Sequence, residues 1–271
     1  MYLTRHQTSH GPRWALDGFY LPEPFTLSML LSLPKPAIHE MLKSIPVDQE
    51  AAERLLPPIE ALQEVWASGV TYLRSRDARQ SESDVGDVYQ RVYEAARPEL
   101  FFKGIGWRVV GHQQPVRIRQ DSRWDVPEPE LTLVVNSHQE IVGYCAGNDM
   151  SSRSIEGENP LYLPQAKIYT GSCALGPGLQ IMGSENLGDM PIRMSIHRGE
   201  SALYTEQTSI SKMKRSLEEL VAYLGKEINF PQGVFLMTGT GLVPPDTFTL
   251  QSGDRIMIRI GSLQLENSVQ V

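Results

Sequence analysis

Apolar positions recur along this chain with two different periods, and the two periods mark two kinds of element. In DVGDVYQRVYEAA (84–96), Val85, Val88, Tyr89, Val92, Tyr93 and Ala96 fall at the three- and four-residue steps of one helical face, with Asp84 as N-cap and Pro98 as a stop. A second helix is predicted over 210–224, where Met213, Leu217, Leu220, Val221 and Leu224 share a face and Gly225 can take a left-handed C-cap. Elsewhere the period is two. Ile256, Ile258 and Ile260 alternate with Arg255, Met257 and Arg259, and GVFLMTG (233–239) and LQEVWASGVTYL (62–73) also read as strands. The runs 131–135 and 141–146 are predicted to pair as a hairpin across Asn136, Ser137 and His138.

The first 55 residues look different. Pro22, Pro24, Pro34 and Pro36 punctuate them, AIHEMLKSI and QEAAERLL suggest two short helices, and Pro57-Pro58 marks a boundary. The expected organisation is an N-terminal subdomain at 1–58 and a catalytic domain at 59–271.

Composition narrows the function classes. A net charge of −7 over 271 residues and a pI near 5.4 argue against nucleic acid as a partner. No run approaches the roughly 18 apolar residues of a membrane span, and MYLTRHQTSHGPRW is too polar for a secretory signal, so a cytoplasmic location is expected. Cys145 and Cys173 alone imply no disulfide framework.

Candidate chemistry lies in VPEPELTLVV. A strand points residues i and i+2 to one face, so Glu128 and Glu130 can aim at a single point. Pro127 and Pro129 bias the residues before them toward extended backbone and suit a sheet rim. Asp149, at the end of the second hairpin strand, would return to that rim. Three hard oxygen ligands with no histidine or cysteine beside them favour Mg²⁺, with Mn²⁺ or Ca²⁺ as alternatives, over zinc. The following stretch, 148–178, is rich in polar, glycine and proline positions and reads as a long functional loop.

That segment, with Glu128-x-Glu130 before it and VFLMTGTGLVPPDTFTLQSGD (234–254) after it, resembles the fumarylacetoacetate hydrolase superfamily. IEGENPLYLPQAKIY resembles its branch of dehydratases acting on 2-keto-3-deoxy pentonates, and the likeness runs from about Glu64 to the C-terminus. The resemblance implies an α+β fold, a strand-dominated mixed β-sandwich roll, in a homodimer or homotetramer. It also implies a metal held by Glu128, Glu130 and Asp149 that receives a 2-keto acid. Lys167 matches the superfamily lysine beside the metal, as a neutral base or as a cation anchoring the substrate carboxylate. Glu99 matches an acidic position of the dehydratase branch and is the candidate for proton transfer to the leaving hydroxyl. Thr240 matches a threonine that meets the substrate carboxylate. Arg74, from the cluster with Arg76 and Arg79, is a candidate for the sugar hydroxyls or carboxylate, and Arg153 and Asn148 for bracing the Asp149 loop.

Hydrolytic members of the superfamily carry a histidine shortly after the opening strand. Here no histidine lies between His39 and His112, and His112, His138 and His197 fall outside the family motifs. Elimination needs no activated water. The missing histidine favours elimination, and the resemblance implies dehydration of a 2-keto-3-deoxy pentonate to 2,5-dioxopentanoate, with an acylpyruvate hydrolase or 2-oxo acid decarboxylase as the alternative. A non-catalytic binder is the remaining possibility, because Ser154 stands where some relatives carry an acid.

Overall fold

A computed structural model of the chain describes residues 1–75, 87–183 and 186–271, the Asp87 side chain excepted. Two sheets carry it. The larger runs β3 (Phe19–Tyr20), β2 (Gly11–Leu16), β1, β10, β9, β8, β13, β5 and β6, with the short β4 (Leu55–Leu56) beside β1, and the smaller runs β12 (Ser201–Ser209), β11, β14 (Arg255–Ile260), β15 and β7. The strands that place the site are β5 (Glu64–Gly69), β6 (Glu99–Ile105), β8 (Asp125–Val135), β9 (Ile141–Ser152), β10 (Cys173–Ile181) and β13 (Val234–Met237). Both sheets are mixed, since β13 runs parallel to β5 and β15 (Leu263–Gln270) parallel to β7 (Val116–Arg117), among antiparallel pairs. The strand-dominated α+β architecture expected from the sequence is the one found.

Alternation along β8 explains how one strand serves both a core and a site. Leu131, Leu133 and Val135 enter the core between the two sheets. Val134 faces the other way, into a second core with Val142, Cys145, Phe235 and the apolar residues of the N-terminal segment. Glu128, Glu130 and Thr132 share Val134's face by the two-residue period. β13 pairs with β8 only from Thr132 to Val135. Pro127 and Pro129 thus lie where β8 overhangs its neighbour, and no donor is missed there.

The predicted hairpin forms, with Glu128 opposite Asp149 and Glu130 opposite Gly147. Stretch 148–178, in contrast, is not a loop. It completes β9, makes two short helices, α4 (Arg153–Glu158) and α5 (Leu163–Lys167), and enters β10. Its polar residues misled the hydropathy pattern because Asn148, Asp149, Ser151, Ser152 and Lys167 are buried.

The N-terminal segment is joined to the rest by β1 (Tyr2–Thr8), which pairs with β10, and by α1 (Leu27–Leu31) and α2 (Lys35–Ser44), whose Leu27, Leu30, Leu31, Ile38 and Leu42 pack in the second core. AIHEMLKSI is helical as expected, but QEAAERLL is not: its Leu55 and Leu56 form β4 against β1. The amphipathic helix after β5 spans Asp87–Glu94 (α3), and its expected cap Asp84 lies outside the described residues. The last helix, α6, is shorter than predicted at Leu217–Leu224, because the Ser216 hydroxyl accepts the Glu219 N–H and starts it there. Gly225 ends it at φ −84°, outside the left-handed region. No described helix is long and apolar enough to cross a membrane.

Candidate active site and metal centre

Glu128, Glu130 and Asp149 converge on one face of the β8–β9 ladder, with one oxygen from each lying within 4.8 Å of the others. All three side chains are buried. Like charges set this close cost free energy unless cations answer them. Lys167 Nζ donates to Glu128 Oε2 at 2.7 Å and to Asp149 Oδ2 at 3.0 Å. The Arg153 guanidinium donates to Glu128 Oε1 at 2.9 Å, so Arg153 holds a carboxylate of the triad directly and does more than brace the chain after Asp149. Asn148 points to the opposite face of β9 by alternation.

Glu130 is met differently. Its Oε2 accepts the Gly239 backbone N–H at 2.7 Å, and no lysine or arginine is within ion-pair distance of it among the described residues. Burial, and then the charges of Asp149 and Glu128, push its carboxyl well above the usual range. A buried carboxyl that no side-chain cation meets, in an all-oxygen set of three, fits a divalent cation such as Mg²⁺. Glu128, Glu130 and Asp149 would hold it.

The surrounding glycines admit this packing. A Cβ on Gly147 would come within 2.2 Å of Thr132 Oγ1, beside Glu130. Gly239 has φ +91°, and a Cβ there would lie 2.0 Å from Thr71 Oγ1.

Lys103 was not foreseen from sequence. It is fully buried, its Nζ 2.5 Å from Asp149 Oδ1, and it also donates to the backbone carbonyls of Met150, at 3.1 Å, and Lys167. A signal was present: a lone cation following Leu100, Phe101 and Phe102 in an edge strand asks for a buried partner.

Glu99 lies on β6 opposite Gly69 and shares a face with Phe101, whose ring centroid is 5.9 Å from Lys167 Nζ. Its carboxylate folds over Gly69, where any Cβ would meet Oε2 at 2.0 Å. Glu99 is thus on the triad's side of the sheet. Thr240 follows Gly239 and is buried, its hydroxyl bonded to the Leu242 backbone at 3.1 and 3.2 Å. Arg74 donates to the Val243 carbonyl at 3.3 Å and borders a cavity of about 820 Å³ with Tyr72, Tyr204 and Gly241. Burial, and then the charge of Glu130, push the phenol of Tyr72 on the wall of this cavity up. Arg76 and Arg79 lie outside the described residues. His138 sits in the hairpin turn at the far end of β8, and His197 is on β11 (Pro191–Arg198) of the other sheet. His112 Nδ1 accepts the Glu266 N–H on β15. None of them joins the triad.

Fold and site define a metal-binding enzyme scaffold in which buried carboxylates gather at the overhang of a curled sheet. The chain belongs to the fumarylacetoacetate hydrolase family: the family described as fumarylacetoacetate (FAA) hydrolase C-terminal matches residues 64–270. A Haloferax volcanii protein named "Probable 2-keto-3-deoxyxylonate dehydratase" is 47% identical over 216 residues, 78% of this chain and 73% of that one. The "2-dehydro-3-deoxy-D-arabinonate dehydratase" of Saccharolobus solfataricus is 39% identical over 216 residues, 78% and 72% of the two chains. A solved structure of 2-keto-3-deoxy-D-arabinonate dehydratase complexed with magnesium and 2,5-dioxopentanoate superposes with a TM-score of 0.85 at 31% identity, covering 100% of this chain and 99% of that one.

Proposed function

We propose that the protein is a magnesium-dependent hydro-lyase that removes water from a 2-keto-3-deoxy pentonate to give 2,5-dioxopentanoate. The observation that carries this reading is the buried triad with Lys167 lodged between two of its members and no histidine beside it. When bound, the dication would supply Lewis-acid stabilisation of the charge that grows on the C2 ketone oxygen.

The residues divide the remaining work. Lys167, buried and aimed at the carboxylates, takes the proton from C3. Glu99, on the same side of the sheet, gives a proton to the C4 hydroxyl as the C4–O bond breaks, so that water leaves and C3=C4 forms. An allylic proton shift from C5 to C3 and tautomerisation of the resulting enol then yield the aldehyde. Arg74, on the wall of the cavity, and Thr240, three residues after β13, bind the substrate's carboxylate or hydroxyls.

Residues 59–271 form the catalytic unit in this reading, supported by the family match from 64 onward, and 1–58 form a packing subdomain. By the family resemblance the enzyme works as a homodimer or homotetramer, in the cytoplasm. The test is incubation with Mg²⁺ and either 2-keto-3-deoxy-pentonate or an acylpyruvate, followed by proton NMR. Appearance of 2,5-dioxopentanoate from the sugar acid alone supports the assignment. Cleavage of the acylpyruvate with the sugar acid untouched would move the protein to the hydrolytic branch.

A further inference from the structure

β6 stands four places from β9 in the order of the large sheet. In a flat sheet that separation is about 19 Å at ~4.8 Å per strand, well beyond a lysine's reach. Lys103 Nζ nevertheless touches Asp149 Oδ1 at 2.5 Å, so the sheet curls enough to bring β6 over the face that carries the triad. The local backbone is adapted to this contact. Val65 pairs with Gly104 and Trp66 with Phe102, which leaves Lys103 as the extra residue of a β-bulge. A bulge takes one side chain out of the alternation and re-aims it.

We propose that Lys103 is a positioning residue that closes the curl of the sheet and sets Asp149 and Lys167 in register with each other. An ammonium has three N–H donors and no acceptor. Here two of them go to the Met150 and Lys167 carbonyls, and the positive charge pairs with Asp149 Oδ1 at 2.5 Å. One nitrogen therefore ties β6 to β9 and to the C-terminus of α5. It fixes the rotation of the Asp149 side chain, leaving Oδ2 toward Lys167 Nζ, and it fixes the backbone from which the Lys167 side chain springs. Charge balance alone would ask for a cation near Asp149. It would not ask for one that also holds the Lys167 backbone.

The inference rests on the assignment of the triad and Lys167 above, and the experiment separates the two. Magnesium affinity is measured by titration calorimetry on the full chain, with kcat and KM for the keto acid, for wild type, Lys103→Met and Lys103→Gln. Failure of the wild type to bind Mg²⁺ overturns the functional reading and this inference with it. Given wild-type binding, Lys103→Met is expected to weaken it by about 10–100-fold, as loss of groups that orient metal ligands does, and to lower kcat more than it raises KM. Lys103→Gln keeps N–H donors without the charge and should fall between the two. A neighbour that acted by charge alone would give the opposite sign, tighter Mg²⁺ binding once the ammonium is gone, and that result overturns the proposal. So does a folded variant with lowered Tm but unchanged Mg²⁺ affinity and kcat. If Lys103→Met does not fold, Lys103→Gln is read by the same criteria.

Discussion

Glu128 and Glu130 share one face of β8 two residues apart, yet Glu128 accepts hydrogen bonds from Arg153 and Lys167 while Glu130 accepts the N–H of Gly239. The two carboxylates should therefore respond oppositely to neutralisation. Glu128→Gln removes the negative charge that two buried cations share, and breaking a buried pair typically costs about 3–5 kcal/mol. Glu130→Gln removes a charge whose carboxyl is already pushed upward by burial and by its acidic neighbours.

In metal-free buffer, Glu130→Gln is expected to melt at or above the wild-type temperature and Glu128→Gln below it. On adding Mg²⁺ to about 100 times Kd, the wild type should gain roughly 2.7 kcal/mol, and Glu130→Gln little of it. Thermal melts with and without Mg²⁺ check both parts. A full Mg²⁺ response in Glu130→Gln would remove that residue from the metal site.

Asp125 gives a separate dependence on pH. Burial raises its carboxyl to about 6. A folded-state pKa above the unfolded one means stability that is complete below the ordinary value of 3.8 and is lost as pH rises through about 6. Asp125→Asn should accordingly be more stable than wild type above pH 6 and lose that advantage below pH 4. Denaturant midpoints across this range measure it, and a pH-independent difference would show that the charge of Asp125 is not the cause.

How much of this was legible beforehand depends on what each residue faces. The hairpin of β8 and β9 was readable because Leu131, Leu133 and Val135 alternate into the inter-sheet core. The two-residue spacing of Glu128 and Glu130 was readable for the same reason. Lys103 was not, because the bulge that aims it exists only through pairing across from Val65 and Trp66, on a strand distant in sequence. Nor were α4 and α5, too short to show a period, or the burial of Asn148 to Ser152, where polar residues occupy an interior the hydropathy pattern assigns to apolar ones. Leu55 and Leu56 were misread because a pattern cannot tell a helix end from a two-residue strand that β1 captures.

Gly239 joins backbone strain to the site. At φ +91° a side chain is disfavoured, and a Cβ would meet Thr71 Oγ1 at 2.0 Å and the Ser68 carbonyl at 3.0 Å. Gly239→Ala is expected to cost about 1–3 kcal/mol in stability and to turn its N–H away from Glu130. The measurement is a denaturation curve with a parallel Mg²⁺ titration. Wild-type values in both would show that the turn accommodates the methyl group.

Glu99 offers the sharpest division between chemistry and metal binding. Its carboxylate lies over Gly69 on β6, while the triad lies on β8 and β9, so it is on the site's face without being one of the convergent oxygens. A group that only transfers a proton to the leaving hydroxyl contributes at the transition state and leaves ground-state binding alone. Glu99→Gln should therefore lower kcat by about 10²–10⁴-fold, while Mg²⁺ affinity stays at the wild-type value. Exchange of the C3 protons of bound substrate with solvent, followed by NMR in D₂O, provides an independent reading, because abstraction by Lys167 does not need Glu99. Continued C3 exchange with water loss blocked assigns Glu99 to the C4–O step; loss of both together would make it a partner of Lys167 instead.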